Sequence, residues 1–413
     1  MNRRYLRIVV LLGLTAIAYA AALSRGQSLP WIIASLFLAA LIVGIAWPRW
    51  LVRRISISRS GPDRANEGDT IRLHVRVENH GWLPRFMIEA VDRLPFVGAA
   101  AGKSASASTV LGVVAYIGAR ERHNFEVELN CEKRGFYRLG PTSISTGFPL
   151  GLVERHGAPA GGEQSLTIYP ELFPILSLSL FGSPDEIHRG DFLLPQGFGA
   201  IDFSGLREYR SGDTPRHIHW PTSARANTLM VKEFEPRASA ALSLVLDMSS
   251  ESNVGQGKHA SFEYAVRIAA SIAQFAHQNN ISVSLHGRGT MPVDLLPDCG
   301  PIHYGKLLDA FAIVDADGAM PYATVVEQMA LQCRRGRTVV LFLSVLPPQI
   351  DKMLQAIVFL RSRGAQIVAI ELVRESFLER PVPDASEWSG LLDLGIVLLR
   401  VRRGDDLGAL FNG

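Results

Sequence analysis

What this chain lacks narrows its chemistry before anything it contains does. There are only three cysteines, Cys131, Cys299 and Cys333. They are far apart, odd in number and in no metal-ligand spacing, which fits reduced thiols and provides no disulfide framework. No G-x-S-x-G elbow, no G-x-x-x-x-G-K-[ST] phosphate loop (Gly305-Lys306 is followed by Leu307) and no H-E-x-x-H zinc motif occurs, so the common hydrolase, nucleotide and metalloprotease signatures are missing. The Gly197-Phe198-Gly199 triplet does not join a buried strand to a helix and reads as part of a linker. A net charge of +3 is near balance once the arginines flanking the apolar runs are set aside, which gives no sign of a nucleic-acid partner.

What is present begins with apolar length. The 413 residues allow two or three domains, and 47% hydrophobic content is high for a purely soluble chain. Leu6 to Leu23 is one apolar run of bilayer length, and Leu29 to Val52 is a second, with Trp31, Trp47 and Trp50 near its ends as interfacial anchors. A cleaved signal peptide is the alternative for the first run, since Ala18-Tyr19-Ala20 is an A-x-A site. The second run follows at once, however, and the pair reads as a helical hairpin. Arg3, Arg4 and Arg7 precede the first run, Arg25 alone sits in the turn, and Arg49, Arg53, Arg54 and Arg59 follow the second. The positive-inside rule then predicts a multi-pass membrane protein with both termini and all soluble domains in the cytoplasm.

From about Arg54 to Pro170 the period becomes two. Ile71, Leu73, Val75 and Val77 alternate with Arg72, His74, Arg76 and Glu78, and Phe125, Val127, Leu129 and Cys131 repeat the pattern. With further runs at Phe86 to Val91, Val110 to Ile117 and Leu166 to Tyr169, about six to eight short antiparallel strands are expected, closing as an immunoglobulin-like β-sandwich over residues 54–180. Ala99 to Thr109 reads as its mobile hairpin loop.

After residue 237 strand and helix patterns alternate. Ala241 to Asp247 reads as a buried parallel strand, followed by helix at His259 to Asn279, strand at Ile281 to His286, helices at Gly305 to Ile313 and Thr324 to Cys333, strand at Thr338 to Ser344, helix at Pro348 to Arg363, and strands at Gln366 to Glu371 and Gly395 to Val401. This order predicts a doubly wound α/β domain over 238–413, whose ligands belong at the carboxyl ends of the strands. The whole chain is thus an α+β multidomain protein: hairpin (1–53), sandwich (54–180), linker and signature (181–237), and α/β domain.

Polar residues crowd the stretch from Gly205 to Glu235, GLREYRSGDTPRHIHWPTSARANTLMVKEFE. Its arginines, acids and Trp220 suit either an interaction surface or an internal clamp, because charges rarely bury unless paired. His217 and His219 would share one face if this were a strand, but no third metal ligand is evident. Arg334-Arg335-Gly336-Arg337 reads as a solvated, basic helix end.

The string resembles the signature of the bacterial domain of unknown function 58 family, REY-x-x-GD-x-x-R-x-I-x-W-x-x-x-AR followed by a VKEFE-like strand. The matching positions are Arg207, Glu208, Tyr209, Gly212, Asp213, Arg216, Ile218, Trp220, Ala224, Arg225, Glu233 and Glu235. Upstream, RGFYRLGP (134–141), FPLGL (148–152) and IYP (168–170) resemble further segments of the family, with Gly147-Phe148 where an Asp-Pro pair is usual. Asp247-Met248-Ser249-Ser250-Glu251, after its strand, looks like the D-x-S-x-S of a von Willebrand factor type A domain. That motif implies a divalent cation, Mg²⁺, held by Asp247, Ser249 and a third group at Glu251. Glu251 replaces a Ser, and Ser344-Val345 stands where Thr-Asp is common. The motif therefore reads either as a degenerate Mg²⁺ site or as Asp247 and Ser249 capping a loop, and no other cofactor is implied.

The resemblance further implies a non-enzymatic adaptor or scaffold, encoded beside a MoxR-type AAA+ ATPase and working with it and other proteins in protein or cell-envelope assembly. The signature residues would dock the partner or relay its state. An enzyme using the acidic signature and Asp247 is the alternative, opposed by the want of a nucleophile-base pair. An adhesion module facing outward is a third, opposed by the arginine distribution.

Overall fold

A computed structural model describes residues 3–25, 28–97, 108–159, 162–176, 201–209, 218–226, 228–236, 241–333, 336–383 and 386–412. They fall into two compact units, Met1–Glu171 and Leu172–Gly413.

The first unit starts with two helices, α1 (Arg3–Arg25) and α2 (Ser28–Leu51). Both are long and apolar enough to cross a membrane, over Leu6–Ser24 and Ser28–Leu51, which matches the runs read from the sequence. Ten strands follow: β1 (Ile55–Ser60), β2 (Arg64–Asn66), β3 (Thr70–Asn79), β4 (Arg85–Arg93), β5 (Ser108–Ile117), β6 (Arg122–Asn130), β7 (Gly135–Leu139), β8 (Ser143–Thr146), β9 (Arg155–His156) and β10 (Gln164–Tyr169). They pair as β1-β3-β6, β2-β10-β7 and β5-β4-β8-β9. The period-two reading of β3 holds residue by residue, with Ile71, Leu73, Val75 and Val77 all buried. One core takes side chains from all three sheets, including Val75, Ile88, Leu129, Ile144 and Ile168, and Leu51 at the end of α2 joins it. The ten strands exceed the expected six to eight because β2, β8 and β9 are too short, at three, four and two residues, for any period to register. The hairpin loop expected at Ala99 to Thr109 falls outside the described residues up to 107, while Ser108 and Thr109 belong to β5.

In the second unit, β11 (Ile201–Glu208) pairs antiparallel with β12 (Met230–Pro236), and helix α3 (Trp220–Ala226) lies between them in sequence. There follow β13 (Ala241–Leu246), α4 (Ser261–Gln278), β14 (Ser282–Arg288), β15 (Pro292–Asp298), α5 (Pro301–Ile313), α6 (Tyr322–Gln332), β16 (Thr338–Leu343), α7 (Ile350–Ser362), β17 (Gln366–Leu372), α8 (Arg374–Phe377), α9 (Gly390–Asp393), β18 (Val397–Val401) and α10 (Leu407–Asn412). Six of these strands form one sheet, ordered β15-β14-β13-β16-β17-β18. All neighbours are parallel except the β14–β15 hairpin.

Alternate residues of the central strands enter two different cores. Leu244, Val340 and Ile370 pack with α4 and α5 on one face, and Val245, Leu341 and Ala369 pack with α6 and α7 on the other. A sheet covered on both faces needs continuous apolar strands, which is why ALSLVL and TVVLFL read as they do. The linker read over Phe181 to Phe203 lies outside the described residues up to 200, including Gly197-Phe198-Gly199, while 201–203 belong to β11.

Candidate functional site

Strand β13 has β14 on one side and β16 on the other, so the chain leaves it in one direction and later returns on the opposite side. Such a switch point parts the loops at the carboxyl ends of the strands and opens the place where ligands bind in sheets of this kind. Asp247 stands there, directly after β13, and is only 3% exposed. Its Oδ1 accepts the Ser249 backbone N–H at 3.0 Å, which closes a tight Asx turn.

The loop that follows is held both from within and by neighbouring elements. The Asn253 amide donates to Asp247 O at 2.8 Å and to Ser249 O at 3.0 Å. Ser249 forms a β-bridge with Gly318, where a Cβ would come within 2.3 Å of Arg288 O, so only glycine permits that approach. From β16, the Ser344 hydroxyl donates to Ser252 O at 2.9 Å. From the end of β17, Arg374 Nη1 donates to the same Ser252 carbonyl and, at 2.9 Å, to Ser344 O. Beneath the loop, Tyr322 OH donates to Val245 O at 2.6 Å and accepts from Phe342 N at 3.2 Å, tying β13 to β16.

Burial pushes the Asp247 carboxyl up to about 7, against the opposing pull of the Ser249 N–H, the nearby Ser252 hydroxyl and the Arg374 charge. Although that hydroxyl is near enough to favour the carboxylate, neither Asp247 Oδ2 nor Ser252 Oγ makes a hydrogen bond of good geometry, and both are buried. Unsatisfied buried oxygens of this kind invite a hydrogen-bond donor or a cation.

For Mg²⁺ the fit is partial. Asp247 Oδ2 and Ser252 Oγ are two oxygens of the six that octahedral coordination takes, and Ser249 is buried beside them in sequence. Glu251 is exposed and receives the Gln349 amide at a long 3.5 Å. Among the described residues no group of three or more His, Cys, Asp or Glu side chains is placed to hold a metal. Meanwhile Arg374 already brings positive charge to Asp247. Next to it, a cavity of about 20 Å³ is bounded by Ser344, Pro347, Glu371, Arg374, Glu387 and Trp388, room for a single water.

The signature residues lie elsewhere in this unit. Arg207 pairs with Val231, Glu208 with Met230 and Gly205 with Glu233 across the β11–β12 ribbon, and Asp202 pairs with Glu235. Glu208 and Tyr209 are exposed, as are Trp220 at 64% and Arg225. Gly212, Asp213 and Arg216 lie outside the described residues, as does His217. His219 is not on a strand. Its carbonyl accepts from Thr222 N and Ser223 N, and its Nδ1 meets Thr222 Oγ1 at 2.8 Å, so it caps α3. Pro221 in the first turn and the Ala-Arg-Ala that follows favour this helix, and the idea of a shared histidine face goes with the strand.

Sequence reasoning missed Ser252, Asn253, Tyr322 and Arg374. Only Arg374 carried a legible signal, a basic residue just past the carboxyl end of a parallel strand.

Residues 205–387 match the sequence model described as Protein of unknown function DUF58. This covers both the signature and the switch point. The Uncharacterized protein YeaD of Bacillus subtilis (strain 168) is 25% identical over 321 residues, 76% of this chain and 76% of that protein. Among solved structures, the CARDB domain of a Pyrococcus furiosus protein aligns with 28% of this chain and 94% of its own at 13% identity and a TM-score of 0.21. A Listeria innocua β-glucosidase aligns with 28% of this chain and 16% of its own at 12% identity and a TM-score of 0.20. Scores this low carry no argument.

Proposed function

We propose that this chain is a membrane-anchored, non-enzymatic adaptor. Helices α1 and α2 hold it in the bacterial inner membrane with both termini and the soluble parts in the cytoplasm. The first unit is an immunoglobulin-like spacer, and the six-stranded sheet belongs to a von Willebrand factor A-like domain. A MoxR-type AAA+ ATPase of protein or envelope assembly docks on the signature.

The observation that carries the reading is the closed carboxyl edge of the sheet. Arg374 spans the loops after β13 and β16 and Asn253 pins the first of them, and the cavity bounded by Arg374 among the described residues is water-sized. An edge plugged by its own side chains presents a surface rather than a cleft for substrate. Exposed Tyr209, Trp220 and Arg225 supply the residue types that dominate protein–protein hot spots. The sheet order, its single antiparallel edge hairpin and Asp247-x-Ser249 after β13 support the A-like assignment. The arginines flanking α1 and α2 support the orientation.

Affinity purification of the detergent-extracted chain from its own cells tests the reading. A MoxR-type ATPase should co-purify, and Trp220→Ala should reduce its recovery. Absence of any such ATPase, together with a hydrolytic activity in the purified chain, sinks the proposal.

One observation favours a second reading, a metal-dependent site at Asp247: the two unpartnered buried oxygens, Asp247 Oδ2 and Ser252 Oγ. Calorimetric titration with Mg²⁺ decides it. Heat that vanishes in Asp247→Ala favours the cation, and no heat in the parent leaves the edge to Arg374.

A further inference from the structure

The turn between β8 and β9 meets both N-terminal helices. At Gly44 of α2, which is buried, a Cβ would lie 2.6 Å from Leu152 Cδ1 and 3.3 Å from Leu150 Cδ1. Glycine therefore lets the 147–152 turn sit directly on the helix. On the other side the Arg7 guanidinium of α1 comes within 3.5 Å of where a Cβ on Gly151 would be. The turn is itself closed by Gly151 N donating to Gly147 O at 2.7 Å, so it sits in the notch of the hairpin as a fixed block.

Its height along the helices is then set. Gly44 precedes Trp47 by one turn, roughly 4.5 Å of helix rise, and Trp47, Trp50 and Arg49 mark the belt where aromatic and basic side chains meet lipid headgroups. Below that belt the helix cannot swing away from the β-strands. Leu51 is fully buried in their core, the Arg85 guanidinium stacks on Trp50 at 3.8 Å, and Arg85 Nη2 donates to Arg53 O at 3.2 Å.

The side chains facing outward at this level are apolar. Leu150 is 45% exposed, Met87 45% and Tyr116 57%. The Phe86 ring joins Tyr116 to the turn, 5.5 Å from Tyr116 and 5.9 Å from Phe148. On α2, which the turn packs against at Gly44, Ile42 and Trp47 are also exposed, and Arg7, beside Gly151, brings charge suited to lipid phosphate.

The geometry points to a third membrane contact: the 147–152 turn, with Leu150 at its tip and Met87 and Tyr116 beside it, lies in the headgroup–acyl boundary of the bilayer. The first unit is thereby held against the membrane by its own surface as well as by its helices. This rests on α1 and α2 spanning a bilayer. Burying that apolar area in the interface adds to binding and restricts the tilt of the strands over the membrane.

The test uses the full chain in lipid nanodiscs. Cys299, the exposed thiol, is changed to Ser, and a fluorophore is attached in turn to Leu150→Cys, Ile42→Cys and Met291→Cys. Lipids with brominated acyl chains should quench the label at 150 to roughly half the extent at 42 or more, since interfacial side chains enter the acyl boundary, and should leave the label at 291 unchanged. Quenching at 42 with none at 150 overturns the proposal while the spanning helices stand. No quenching at 42 removes the membrane reading, and the lipid contact with it.

Discussion

Arg374 Nη1 donates to the Ser344 carbonyl at 2.9 Å and, through the same nitrogen, to the Ser252 carbonyl. One side chain at the end of β17 thus ties together the loops that follow β13 and β16, at the point where the sheet would otherwise be open. The same guanidinium offsets the charge of Asp247. It occupies the role a bound cation would have there, but from within the chain.

Removing it should therefore be costly. Arg374→Ala removes a donor from two carbonyls at the switch point, of which Ser252 O keeps the Ser344 hydroxyl and Ser344 O loses its side-chain donor, and a buried unsatisfied acceptor costs roughly 1–3 kcal/mol. Thermal unfolding of the full chain in detergent should show a loss of that order. Arg374→Lys, which keeps the charge but not the fork, should recover only part of it. An unchanged transition in the alanine variant contradicts the bridging role.

Asp247 gives the protein an inverted pH dependence at this site. An unfolded Asp carboxyl titrates near 3.9, whereas burial holds the folded group up to about 7. Between those values the folded chain keeps a proton that the unfolded chain has released, so this group's contribution to stability falls as pH rises through the window. Asp247→Asn, which can still accept the Ser249 N–H, should flatten the slope between about pH 4 and pH 7. It should also stabilise the chain at pH 8 by roughly 1–4 kcal/mol. Denaturant titrations at several pH values read this, and parallel pH profiles for parent and variant would count against a buried, proton-binding carboxyl.

Much of this was legible beforehand, and the failures have physical reasons. Strand β3 announced itself because one face is core and the other solvent, so Ile71 to Glu78 alternate. Strand β13 did so because both faces are core. Strand β15 did not, since Pro292 and Pro297 sit inside it and none of its residues is fully buried; an antiparallel edge tolerates prolines that a central strand would not. Asp247 was visible as the residue ending a buried strand. Its partners Arg374 and Tyr322 were not, because they lie 127 and 75 residues further along the chain and meet it only through the strand order. His219 was misplaced because period-two reasoning ignored a proline in position to start a helix.

The junction of α2 with the strands depends on an absent side chain. Gly44→Val would place a branched group where even a Cβ lies 2.6 Å from Leu152, and overpacking of this kind costs about 1–3 kcal/mol. The expected outcome is a lower melting temperature and faster proteolysis after the 147–152 turn. Gly13→Val, at a helical glycine with nothing within 4 Å of its would-be Cβ, should do neither. Equal effects of the two changes would show that crowding at Gly44 is not the cause.

The adaptor reading stands or falls on whether the signature surface binds an ATPase. The direct measurement is the affinity of the full chain in nanodiscs for the purified MoxR-type ATPase of the same cell, with Trp220→Ala alongside. The account predicts saturable binding that the alanine variant weakens by at least about tenfold, the loss expected for a hot-spot aromatic. Binding that is absent, or identical in the two proteins, would contradict it.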